Sequence, residues 1–158
     1  MKKLAIILFL GGFITACGGG AGSDVEPTGP DNSVKAADNG NPSYDPERGE
    51  GKFTKVEVGE KLDVPMAEAG EKVYGVKCSS CHKTTEEKLV GPGWKGVTSR
   101  HTAEWILNFS TNTAAMLDKD PKAQAQLEIC LVRMPNQNLT DDEARSVYEF
   151  MRKNDGVK

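Results

Sequence analysis

Residues 77–83 read KCSSCHK. Two of the chain's four cysteines and one of its two histidines fall in this stretch. Side chains three apart at a helix end lie on the same side. Two thiols and an imidazole can therefore serve a single centre, and the nature of that centre decides what the rest of the chain must build.

Three chemistries use a Cys-x-x-Cys pair. A structural zinc site needs four ligands. Cys78, Cys81 and His82 supply three, Cys130 or His101 would have to complete the set, and adjacent Cys81 and His82 sit awkwardly around one tetrahedral ion. A thioredoxin-type redox pair belongs at the strand-to-helix junction of a βαβ unit. Here the motif ends a helical pattern and no β pattern precedes it. Covalent haem attachment uses every letter of the motif. Cys78 and Cys81 form thioethers to the two vinyl groups on one edge of the ring, and His82 becomes an axial ligand of the iron.

The whole chain is consistent with a small domain completed by a prosthetic group. Its 158 residues suffice for one domain with appendages. A formal net charge of −3 offers no basic field for nucleic acid or an anionic membrane surface. Hydrophobic residues make up only 37%, and a core so lean ordinarily needs a staple or a large bound group.

The chain opens with MKKLAIILFLGGFITAC. Its apolar run from Leu4 to Ile14 is too short for a permanent span and reads, over residues 1–16, as an export signal. Ile14-Thr15-Ala16-Cys17 resembles the lipobox of bacterial lipoproteins, which implies lipidation of Cys17 and an extracytoplasmic, membrane-anchored protein facing the periplasm or cell exterior. An ordinary signal peptide with a chance cysteine is the alternative. Residues 17–62 read as the lipidated N-terminus and a flexible acidic linker, too poor in aliphatic side chains to offset the entropy of ordering. A coil of about 35 residues reaches roughly 30 Å. Within the linker a short extended segment is expected over 53–58, with Phe53, Val56 and Val58 as its apolar members.

The compact domain is expected over 63–158, with about four helices. Asp63 and Pro65 open the first, which runs to Lys77 with Ala69, Gly70, Val73 and Tyr74 on one face. The second begins near a Thr102 cap and carries Trp105, Ile106 and Phe109. The third opens at Asp120-Pro121 and runs to about Leu131. The fourth begins at Thr140, where Glu143 completes a capping box, and turns Ala144, Val147, Tyr148, Phe150 and Met151 inward. No strand pattern is long enough for a sheet. Loops are expected over 83–101 and 132–139.

Residues 65–153 resemble a class I c-type cytochrome of the small bacterial monohaem kind. CSSCH, Gly91-Pro92 and RMPNQNLTDDE carry the resemblance, together with Gly70 and Tyr74 on the first helix and Val147 and Phe150 on the last. It implies an all-α cytochrome c fold around one haem c, with first and last helices crossing and a methionine loop before the last helix. Met134, followed by Pro135, matches the distal methionine. Met116 in the AAML patch and His101 remain competitors, Met66 opens the first helix, and Met151 is expected in the core. By the same resemblance the Pro92 carbonyl accepts the proton of the second His82 ring nitrogen. Trp94 or Trp105 packs near the haem, with an indole N–H in reach of a propionate, or either is plain core. Arg100 or Arg133 would pair with a propionate. Cys130 is left over, as a small hydrophobe on the helix leading to the ligand loop.

The implied function is one-electron transfer in an extracytoplasmic respiratory chain by a monomeric, membrane-tethered carrier. The expected donor is a membrane quinol-oxidising protein. The span LEICLVRMPNQNLTDDEAR is similar to lipoprotein cytochromes that accompany nitrous-oxide reductase systems, so that reductase or a terminal oxidase is the expected acceptor. The alternative is a haem enzyme or gas sensor with an open or displaceable distal site.

Overall fold

A computed structural model describes residues 43–158. The export signal and Cys17 lie outside the described residues, as does the linker up to residue 42. Among the described residues there are six helices and no strand, only an isolated bridge between His82 and Lys88. The helices are α1 (Val64–Lys77), α2 (Val97–Arg100), α3 (Ala103–Thr111), α4 (Thr113–Lys119), α5 (Pro121–Cys130) and α6 (Asp141–Asn154).

The four expected helices start where their caps are. Asp63 accepts from the Met66 N–H, Thr102 from Trp105, and Asp120 from Ala123. Thr140 and Glu143 form the full capping box of α6. Two short helices add to them. Gly96, in the left-handed region, turns the chain into the four-residue α2, and the AAML patch is itself helical as α4. Both are too short to show a periodicity in the sequence.

α1 and α6 cross in close contact. The buried face of α1 is Ala67 and Gly70, with Val73 and Tyr74 beside them; Ala69, expected on this face, is exposed. Ala67 stands three residues before Gly70 and so shares its side of the helix, whereas Ala69 is turned away. From α6 come Ala144, Val147, Tyr148, Phe150 and Met151, all buried as expected. The Tyr74 ring meets Phe150 at 5.2 Å and Trp94 at 4.9 Å between centroids. A buried ion pair, Arg152 to Glu149 at 2.7 Å, closes the far end of the crossing, where Glu149 also accepts from the Asp63 N–H at 2.8 Å.

The expected linker does not continue to residue 62. From Tyr44 the chain lies on the domain as a strap. Asn108, wholly buried in α3, grips it by three hydrogen bonds, two from its amide to the Arg48 and Phe53 carbonyls and one accepted from the Phe53 N–H. Tyr44 donates to Asp120, and the Glu50 N–H meets the Met116 sulfur at 3.0 Å. The 53–58 segment does lie on the domain, with Phe53 and Val56 against the core and the Val56 N–H on Glu104, but it pairs with no strand.

A Cβ placed on Gly70 would stand 1.9 Å from the Ser146 carbonyl oxygen on α6. Gly70→Ala must therefore push the two helices apart, and it is expected to lower the stability of the haem-loaded protein by about 3 kcal/mol in urea unfolding. Gly75→Ala, on the same helix with open space around it, should instead raise stability by roughly 0.5–1 kcal/mol.

Candidate haem site

α1 ends at Lys77 and the chain turns at once through Cys78, Cys81 and His82. The turn is tight. The Cys81 and His82 N–H groups both reach the Cys78 carbonyl at 3.0 Å, and the Tyr74 hydroxyl donates to the His82 carbonyl at 2.7 Å. The next loop folds back, with the Val90 and Gly91 N–H groups on the Cys81 carbonyl. This brings Pro92 against the imidazole, so that His82 Nδ1 donates to the Pro92 carbonyl at 2.9 Å. The proton is thereby placed on Nδ1 and the lone pair on Nε2. Burial holds the ring below the ordinary histidine range, partly offset by that carbonyl, so it is neutral. Gly91 is required beside it: a Cβ there would stand 2.3 Å from the His82 ring.

Two clefts open around this imidazole. Cys81 lines the first and Cys78 the second, while His82, Pro92, Phe109, Gln126 and Met134 line both. The walls are mainly apolar, with Leu117 and Leu127 on one side and Trp94, Ile106 and Val147 on the other. Largely apolar space on both sides of a histidine, with one thiol on each side, is the lining and donor set that a covalently held haem requires. The zinc arrangement is not formed. Among the described residues no three His, Cys, Asp or Glu side chains are placed to share an ion.

The chain belongs to the cytochrome c family. The family model for cytochrome c matches residues 67–155. Cytochrome c from Rhodothermus marinus is 27% identical, with a TM-score of 0.64 over 66% of this chain and 90% of that one. An engineered form of that protein gives 26% and 0.67, over 70% and 98%. A further structure of the engineered form, bound to a carbene intermediate, gives 26% and 0.64. No curated protein sequence matches the chain. As a cytochrome c it carries haem c covalently through Cys78 and Cys81, and electron transfer is the general work of the family.

The remaining sequence-predicted residues separate clearly. Met134 is half-buried at both clefts. Met116 lines neither cleft; it is fully buried, with its sulfur accepting from the Glu50 N–H of the strap. Met151 is core and lines the second cleft, and Met66 lies at the other end of α1. Both tryptophans line the second cleft, but the Trp105 indole N–H is bonded to Asp120 at 3.1 Å, which removes it as a propionate donor. Arg100 lines the second cleft and donates to the Lys95 and Gly93 carbonyls, while Arg133 lines the first and pairs with Asp118 at 2.7 Å. Cys130 is a half-buried free thiol at the first cleft. Sequence reasoning passed over Asn108 and Gln126, and read Asp120 only as a helix cap. An asparagine inside the apolar run WILNF was the signal for the first, because a buried amide must find partners.

His101 stacks on Trp105 at 4.0 Å, and its Nε2 lies 3.2 Å from the Gln126 amide nitrogen. Its Nδ1 is buried without a partner. Burial, then the charges of Lys122 and Arg100, push its pKa down to about 4 against the smaller opposing pull of Asp120 and Glu47. The folded state thus holds this imidazole neutral. Its contribution to stability is complete above the unfolded value near 6.5 and is lost as pH falls from there towards 4. His101→Phe keeps the stack without a titrating nitrogen. Urea unfolding at neutral and mildly acid pH should show the variant losing less stability across this window than the unsubstituted protein.

Proposed function

We propose that this cytochrome c is a one-electron carrier in an extracytoplasmic respiratory chain, tethered to a membrane by lipid on Cys17. His82 and Met134 are the proposed axial ligands. The observation that carries this reading is that these two side chains line both clefts, while the sulfur of Met116 is committed to the strap. Bound haem c supplies a one-electron iron couple. The chain's own residues do the rest. The Pro92 carbonyl fixes the His82 tautomer and raises its basicity. The Met134 thioether, as a ligand, would favour ferrous iron and so a raised potential. Pro135 stiffens the loop that carries it, and the α6 capping box anchors the loop's far end. Were His82 and Met134 both to hold the iron of a bound haem, peroxide, oxygen and small gases would find no open coordination site.

A lipid anchor and a polar leash over residues 18–42 hold the head group at high effective concentration near a membrane, which suits a carrier visiting two partners. The proposed donor is a membrane quinol-oxidising protein, and the acceptor a nitrous-oxide reductase or terminal oxidase. No helix among the described residues is long and apolar enough to cross a membrane.

Met134→Ala is expected to abolish the weak red-end sulfur-to-iron band of the oxidised protein. It should lower the potential by roughly 0.1 V, within the ~0.8 V that axial ligands command, and open the ferrous iron to carbon monoxide. Met116→Ala and His101→Ala should leave the band in place. An intact band in Met134→Ala would end the assignment, and rapid carbon monoxide binding by the unsubstituted protein would favour an enzyme or sensor.

For the anchor, membrane fractionation and mass spectrometry of the N-terminal peptide are decisive. Mature protein should sediment with membranes and carry acyl chains on Cys17, and Cys17→Ser should block both lipidation and processing. An unmodified N-terminus would remove the anchor and leave the carrier reading untouched.

A further inference from the structure

A further cavity, polar where the two clefts are apolar, opens at the end of the strap. Arg145, Glu149 and Arg152 recur at helical spacing on one face of α6 and line it. Val147 and Met151, on the opposite face of the same helix, line the second cleft, so the cavity lies outside the haem site. Lys61 of the strap, with Asp63 and Met66 at the start of α1, completes the wall.

Much of the polar chemistry of this wall is already satisfied. Arg152 donates to Glu149 at 2.7 and 3.0 Å and to the Gly59 carbonyl at 2.6 Å. Glu149 also accepts from the Asp63 N–H, and Asp63 itself caps α1 by accepting from the Met66 N–H at 3.0 Å. The Leu62 N–H beside them donates to the Lys158 carbonyl.

Two cations remain. Lys61 is exposed, and its ammonium has no carboxylate partner among the described residues. Arg145 donates from Nη2 to the Glu57 carbonyl and lies over the Tyr148 ring, 5.7 Å from its centroid. Its Nη1 is buried and donates to nothing. A charged donor taken out of water without an acceptor is costly, and such a group in a folded protein calls for a bound water or ion. The balance of charge decides between them. Glu149 and Arg152 cancel, which leaves Lys61 and Arg145 against the single carboxylate of Asp63. Glu60, next to Lys61 in the chain, does not line the wall.

We propose that this cavity binds a tetrahedral oxyanion of the phosphate type, with the Arg145 guanidinium as the directional donor and the Lys61 ammonium as the second charge. A planar fork and a mobile point charge are the two groups that phosphate oxygens take best. The bound anion ties the end of the strap to α6. Free phosphate and the phosphate-monoester headgroup of a lipid offer the same chemistry, and the experiment separates them. The site involves no haem ligand and does not rest on the carrier reading.

The test uses haem-loaded protein exported with a cleavable signal in place of residues 1–17, so that no acyl chain of its own reaches a membrane. It is titrated calorimetrically with sodium phosphate at neutral pH, against sodium chloride of equal ionic strength. Saturable binding with a dissociation constant on the order of 1 mM is expected for phosphate only. The urea midpoint should rise with phosphate and not with chloride. Lys61→Gln should weaken binding roughly fivefold, as for loss of one exposed charge pair. That side chain is exposed and holds no other group, so the variant folds. Arg145→Lys keeps the charge, loses the fork and should also weaken binding. Lys72→Gln removes another exposed lysine, on α1 outside the cavity, and should change nothing.

Phosphatidylcholine vesicles containing phosphatidate distinguish the sources. Retention of the protein on them, lost on adding free phosphate and in Lys61→Gln, makes the ligand a headgroup. Phosphate binding without retention makes it the free anion. Absence of saturable binding up to about 50 mM phosphate would overturn the proposal and leave water as the partner of Arg145. An equal loss of affinity in Lys72→Gln and Lys61→Gln would overturn it too, by reducing the effect to general charge. Neither calorimetry nor the urea midpoint reads the iron couple, so failure of this site leaves the carrier reading standing.

Discussion

The crossing of α1 and α6 at Gly70 is the constraint on which the rest of the structure depends. The two backbones approach so closely there that no side chain fits between them. That contact fixes the axis of α1, and with it the turn through Cys78, Cys81 and His82 that follows without an intervening loop. Tyr74 carries the alignment one step further, its ring on Phe150 of α6 and its hydroxyl on the His82 carbonyl. The same α6 begins at the Thr140 cap that ends the Met134 loop. The two side chains proposed as axial ligands are thus referred to one helix pair. Their separation is set by backbone packing, which deforms little.

The haem also completes the core. The buried apolar cluster of the described residues includes Cys78, Trp94, Ile106, Leu117 and Val147, each of which also lines a cleft. Residues of a small domain's core rarely face empty space on one side. A flat group between these walls supplies the contacts they lack, which is why a chain with 37% hydrophobic residues can form a compact domain. Covalent attachment keeps that part of the core in place through the redox cycle.

Much of this was legible in the sequence because it rests on local chemistry. Caps at Asp63, Thr102, Asp120 and Thr140 are hydrogen bonds within one turn, and each marks a helix start in the structure. The Cys-x-x-Cys-His spacing names its cofactor because few centres take that donor set. The parts that escaped depend on distant partners. Residues 43–62 have the polar composition of a linker, but their backbone is held by Asn108, more than fifty residues away in sequence. Tyr44, the lone aromatic of the stretch before Phe53, was the visible hint. Met116 read as a ligand candidate from its apolar surroundings, and only the fold shows that those surroundings are the underside of the strap. The tryptophans look alike in sequence. An aspartate fifteen residues away distinguishes them, by accepting a hydrogen bond from one indole N–H.

The strap also settles which helices residues 43–62 hold together. It is tied to Asn108 of α3, Met116 of α4, and Asp120 and Lys122 at the start of α5. Lys52, bonded to Asp141 at the start of α6, and Arg145, bonded to the Glu57 carbonyl, are its exposed links to the crossing helices. From Tyr44 onward the strap thus meets the carboxylate of Asp120 and the buried amide of Asn108 before it reaches the crossing helices. Buried hydrogen bonds yield less readily than exposed ion pairs, since a group left unpaired in the interior carries its full desolvation penalty.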